Sequence, residues 1–236
     1  MTLAGKYRDA LDYGFTGLKL AQHAGNTDCQ AEAYGDIGLA YNYKGVFDSA
    51  LLVLNQGLKL DQHLVSPNAQ AGIYGNIGLA YYSLGDYSRA LENHFKNLAI
   101  TEKSGNKRGQ ANALNNIAIV YQQMGQYAKA KDYLEKSIAL KRNSTSKSSL
   151  ATTIGNLGNV CRYQGENDSA FFYYNMGLML SQDAHDKNIE ARTWSNLGEM
   201  YLDLKNTNAV WKINGRRCKS AIRLATKTEA RNRVSH

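Results

Sequence analysis

Apolar residues recur along the chain at i, i+3, i+4 and i+7. They fall at Tyr34, Ile37, Gly38 and Tyr41, and again at Tyr74, Ile77, Gly78 and Tyr81. That spacing marks one face of an α-helix. The string itself repeats: Tyr34-Gly35-Asp36-Ile37-Gly38-Leu39-Ala40-Tyr41 returns forty residues on as Tyr74-Gly75-Asn76-Ile77-Gly78-Leu79-Ala80-Tyr81. Further copies begin at Leu114, Ile154 and Trp194, without slippage. A fixed period between about 20 and 50 residues predicts a repeat array, in which each unit buries its apolar face only against its neighbours.

Within each period the pattern predicts two helices. First helices are expected at 30–44, 69–84, 109–124, 148–164 and 188–204, and second helices at 47–63, 87–103, 127–142 and 167–182. Glycines 45, 85, 125 and 165 stand between them, where a left-handed helix cap is needed. The small residue of each first helix (Gly38, Gly78, Ala118, Gly158, Gly198) sits where Gly costs about 1 kcal/mol against Ala. A cost repeated at every turn of the array predicts a second helix crossing closely there. Gly5-Lys6-Tyr7-Arg8-Asp9-Ala10-Leu11 matches Gly85-Asp86-Tyr87-Ser88-Arg89-Ala90-Leu91, so residues 3–23 read as a second helix without its first. Such a helix exposes the face that its partner would cover. Either the chain starts inside a longer array, the reading we favour, or a half-repeat caps this end.

Trp194-x-x-Leu197-Gly198-x-x-Tyr201 is the tetratricopeptide signature, and Ala170-x-x-x-Tyr174 resembles its second half. The chain therefore resembles the tetratricopeptide repeat family over residues 3–204. It departs from the common pattern in its period of forty rather than about 34, and only Pro67 is a candidate for the proline that closes each repeat. The long form resembles the repeats of Pins-type adaptors, kinesin light chains and bacterial Rap regulators. The resemblance implies an all-α fold: a right-handed α-solenoid of stacked antiparallel helix hairpins. The expected organisation is a repeat array over 1–204, with a half-repeat at 3–23 and repeats starting near 30, 69, 109, 148 and 188. Residues 205–236 read as a degenerate capping helix and a basic tail.

Charge and composition narrow the function. Nine of the 28 Lys and Arg but only one of the 20 Asp and Glu fall in 205–236, so the body before it is balanced and the tail holds the whole net charge of +8. A nucleic-acid partner is expected, if at all, only through that tail. No apolar run long enough to span a membrane and no signal-peptide core is present. Three scattered cysteines, Cys29, Cys161 and Cys218, suit free thiols and a cytoplasmic location. Cys161 replaces a recurring Tyr and is expected to pack as a small apolar group. The five histidines form no ligand spacing, read as exposed or helix-end residues, and predict no metal. No phosphate loop or nucleophile elbow is present, so neither cofactor nor catalysis is expected.

The candidate site is the face of the first helices away from their mutual core. At 100° per residue it gathers Asp36 and Leu39, then Asn76 and Leu79, then Asn112, Asn116, Ile119 and Gln123, then Asn156, Asn159 and Tyr163, then Asn196. In tetratricopeptide arrays the first helices line the concave side, so the resemblance makes this face a peptide groove. Asn76, Asn116, Asn156 and Asn196 form a ladder of amides able to bind an extended backbone. The other reading is that these asparagines bridge neighbouring helices. The acidic ends of this face, Glu32 with Asp36 and Glu199 with Asp203, are candidates to orient a Lys or Arg of the ligand. The expected function is a non-catalytic scaffold for a protein or peptide partner in signalling or complex assembly. Rival readings are the sensor region of a larger signalling enzyme, such as a kinase or cyclase, and nucleic-acid binding through the tail. The oligomeric state stays open.

Overall fold

The computed structural model describes residues 3–60, 65–142 and 146–206. The expected capping helix and basic tail fall almost wholly outside these residues. Ten α-helices and no strand occur among the described residues: α1 (Leu3–His23), α2 (Thr27–Lys44), α3 (Phe47–Leu58), α4 (Pro67–Ser83), α5 (Tyr87–Lys103), α6 (Lys107–Gln123), α7 (Tyr127–Lys141), α8 (Lys147–Tyr163), α9 (Asn167–Asp183) and α10 (Lys187–Asn206).

The helix boundaries follow from capping chemistry set on the forty-residue grid. Asn26, Ser66, Asn106, Ser146 and Asp186 stand before the five first helices, and each accepts a bond from the backbone N–H three residues on. These caps start the first helices one to three residues earlier than apolar periodicity alone predicts. Pro67 does not close a repeat. It is the first residue of α4, where its missing N–H costs nothing. The glycines between the helices take the left-handed conformation as expected, with φ of 78° at Gly45, 79° at Gly85, 71° at Gly125 and 77° at Gly165.

The chain divides into two compact units, one up to Met124 and one from Gly125. In the first, α1 through α6 pack in succession as antiparallel neighbours, and α2 lies against α4 and α4 against α6. One core cluster joins Leu11 and Leu18 of α1 to Ile37 and Ala40 of α2. The next joins Ala31, Ala50, Leu54, Ala69, Ile73 and Ile77. In the second unit α7, α8, α9 and α10 pack in succession, with α8 also against α10.

The small residues of the first helices mark close crossings, as expected. A Cβ on Gly38 would collide with Leu54, and one on Gly78 would lie 2.6 Å from the ring of His94. In the second unit a Cβ on Gly158 would lie 2.7 Å from the ring of Tyr174. Successive repeats are also tied by polar contacts. Asp28 accepts from the Ser66 N–H at 2.8 Å, Asn106 donates to Asn68 at 2.7 Å, and Gln110 donates to the Thr101 carbonyl at 3.0 Å.

Candidate functional site

The first-helix face of the first unit carries Leu39, Leu79 and Ile119, one from each of α2, α4 and α6. All three are half-buried. Asp36, Asn112 and Gln123 on the same face are exposed, and Asn116 is half-buried. Three apolar side chains at a forty-residue interval thus keep part of their surface in water, framed by polar groups without net cationic charge.

Asn76 does more than line this face. Its Nδ2 donates to the Gly35 carbonyl of α2 at 2.9 Å, and its own backbone carbonyl accepts from Asn42 Nδ2 at 2.8 Å. The two amides cross-link α2 and α4. At this rung of the ladder the helix-bridging role holds, and it uses one of the donors that a bound peptide would need. Asn42 is buried, and its Oδ1 has no protein partner.

In the second unit the face carries Asn156, Asn159 and Tyr163 of α8 and Asn196 of α10. The three asparagines are half-buried, and Tyr163 is half exposed. Asn159 accepts a 2.7 Å bond from the hydroxyl of Tyr174, a side chain with no exposed surface. Burial pushes that phenol well above its ordinary range, so it stays a neutral donor. The Tyr163 ring stacks on Tyr127 with centroids 5.7 Å apart, and the Arg162 guanidinium lies 5.3 Å from its centre.

Arg162 is the residue that sequence reasoning missed. It bonds Glu199 at 2.8 Å and reaches Asp203 at 3.7 Å. Of the two acidic ends expected to orient a ligand cation, the Glu199 and Asp203 end is already paired within the protein. The signal was readable, because Arg162 lies one position before Tyr163 and the acids follow almost one period later.

The histidines depart from expectation at one position. His23 and His185 are exposed, but His94 is buried, only 2% exposed, over Gly78. His63 and His236 fall outside the described residues. Burial holds the His94 imidazole at a pKa of about 4. Cys161 packs in the core as expected, and burial pushes its thiol up to about 11, away from nucleophilic chemistry. None of the described helices is long and apolar enough to cross a membrane.

Residues 69–143 match the tetratricopeptide repeat family. No curated protein matches the chain in sequence. Solved structures share the fold. BtubC (BKLC) from P. vanneervenii is similar over 98% of this chain and 93% of its own, with a TM-score of 0.75 at 19% identity. The apo form of RapI is similar over 98% of this chain and 72% of its own, with a TM-score of 0.67 at 17% identity. A signal transduction ATPase with numerous domains from Pyrococcus horikoshii, which has a tetratricopeptide repeat sensor, is similar over 90% of this chain and 32% of its own (TM-score 0.72, 17% identity). At these identities the likeness concerns the fold: an all-α solenoid.

Proposed function

We propose that this chain of tetratricopeptide repeats is a non-catalytic cytoplasmic scaffold that holds a peptide segment of a partner protein against its first-helix faces. The observation that carries this reading is the column of Leu39, Leu79 and Ile119. Apolar side chains kept partly in water on three successive helices gain from being covered. A peptide laid along α2, α4 and α6 covers all three, while Asn112, Asn116 and Gln123 supply donors and acceptors for its backbone. Asn76, committed to Gly35, contributes rigidity more than contact.

Affinity capture with mass spectrometry tests the reading. Proteins held by the wild type are expected to be lost from an Ile119→Asp/Asn116→Ala variant whose far-ultraviolet circular dichroism is unchanged. An Asn156→Ala variant tests the α8 face of the second unit separately. An identical set of captured proteins for all three chains would sink the proposal.

The second reading places the same face in the sensor segment of a larger signalling protein. It is supported by the fold shared with the sensor-bearing ATPase. Flanking coding sequence continuous with a nucleotide-binding or kinase segment is its direct test. A stop codon immediately after residue 236 together with an isolated start would remove it.

A further inference from the structure

One side of each second helix faces water. In α5, which packs against both α4 and α6, positions 88, 92, 96 and 99 are all exposed. Ion pairs occupy this side: Glu92 with Lys96 at 2.7 Å and, forty residues on in α7, Asp132 with Lys136 at 2.8 Å. In α9 the same positions are Asp168, Phe172, Met176 and Met179. Phe172 is 62% exposed and Met179 70%, with Met176 half-buried between them. Where its counterparts carry paired charges, α9 puts bulky apolar groups into water. Since α5 exposes the same side with both neighbours in place, this exposure belongs to the side of the helix and does not come from a missing repeat.

At 100° per residue these four positions and Asp183 fall within about 80° of one another around α9. The stripe is therefore apolar in the middle and acidic at both ends. Its sequence surroundings are acidic too: residues 163–186 hold Glu166, Asp168, Asp183 and Asp186 and no Lys or Arg. Lys131 of α7 reaches Glu166 at 3.1 Å and Lys147 of α8 reaches Asp183 at 2.5 Å, but Asp168 has no cation among the described ion pairs.

We propose that residues 216–227 of this same chain cover the stripe. Their composition complements it. Arg216, Arg217, Lys219, Arg223 and Lys227 surround the apolar run of Ala221, Ile222 and Leu224, with no acid among them. The apolar run lies against Phe172 and Met179, and the cations lie beside Asp168 and Asp183. Reach is sufficient. α10 packs on α9 and ends at Asn206, and the residues 207–215 that follow span up to about 30 Å when extended. α9 itself is only about 26 Å long. The tail's excess charge is thus answered within the molecule, and the first-helix face stays open. The proposal stands apart from the peptide groove and is tested without it.

The full chain is treated with a carbodiimide, which joins a lysine amine to a carboxylate in contact with it, and the linked peptides are mapped by mass spectrometry. Links from Lys219 or Lys227 to Asp168 or Asp183 are expected within single chains. Their yield is expected to fall at least ~10-fold in a Phe172→Lys/Met179→Lys variant and in an Ile222→Asp/Leu224→Asp variant, and to be unchanged by Leu52→Lys, the counterpart of Phe172 in α3. Charged residues already stand at the counterpart positions Glu92, Asp132 and Lys59, so the α9 variant folds, which circular dichroism checks. Three results overturn the proposal. One is tail links spread evenly over the acids of other second helices, such as Asp48 and Glu92. Another is a yield at α9 equal in wild type and both double variants. The third is links that join isotope-labelled to unlabelled chains in a mixture, which would seat the tail of a second copy there instead.

Discussion

His94 lies over Gly78 so closely that a methyl group on the glycine would sit 2.6 Å from the imidazole. The ring is buried and cannot swing into solvent. Gly78→Ala gains about 1 kcal/mol of helix propensity but overpacks the crossing by about 1–3 kcal/mol. A lower urea midpoint is expected, and adding His94→Ala should make the double variant better than the sum of the two losses. A Gly78→Ala chain as stable as the wild type would show that α5 shifts freely.

The same burial makes stability depend on pH. The folded imidazole holds a pKa of about 4, below its ordinary 6.5, because the charged form loses its water. Between those values the unfolded chain binds the extra proton, so stability is full above pH 6.5 and falls as the pH drops through about 4. The expected loss is about 3 kcal/mol by the conversion of roughly 1.4 kcal/mol per pKa unit. His94→Leu places at this position the residue already present at Leu54 and Leu134, and it should flatten this limb of the denaturation profile.

Lys141 is a buried cation without a carboxylate partner among its described bonds. Its ammonium donates to Thr153 Oγ1 at 2.8 Å and to the Ser149 carbonyl at 3.5 Å, and burial lowers its pKa to about 8. The unfolded chain keeps the proton up to 10.5, so this group's contribution improves as the pH rises from about 8 to 10.5. Lys141→Met removes the buried charge while keeping most of the volume. A gain of about 1–3 kcal/mol is expected at neutral pH, shrinking toward pH 10.5 in paired thermal melts.

His185 occupies a left-handed turn, with φ of 53°, where Gly25 and Gly105 take 63° and 72°. A side chain there costs about 1–2 kcal/mol, partly offset by the entropy that glycine releases on unfolding. His185→Gly should therefore raise the thermal midpoint by about 2 °C. No rise would mean that the imidazole makes compensating contacts.

The forty-residue grid made most of the fold readable, because caps, crossings and core residues all repeat with it. The caps were the weak point. Ser66, Asn106 and Ser146 read as linker residues until their bonds to the N–H groups three residues on are seen, so apolar periodicity alone starts the first helices late. The burial of His94 is also present in the grid, in the column Leu54, His94, Tyr174 set against Gly38, Gly78, Gly158. Residue type alone hid it, since histidine is usually wet. The candidate site was less legible. Asn76 lies on the face that helix geometry assigns, yet its amide reaches sideways to Gly35. A helical wheel resolves direction around the axis but not the reach toward a neighbouring helix. Arg162 claims Glu199 and Asp203 by the same kind of lateral contact.

Gly45 and Gly85 take the same turn, with φ of 78° and 79°. An in-frame loss of residues 46–85 would splice one onto the other's successor and hand α2 directly to α5. Gly38 would then meet His94 in the place of Gly78, and Asp28 would stand where Asn68 now receives Asn106. Both of these contacts would find a residue of the kind they already accept. A gene of this form can be shortened or lengthened by recombination in whole steps of forty codons, with the reach of the scaffold as the quantity that changes.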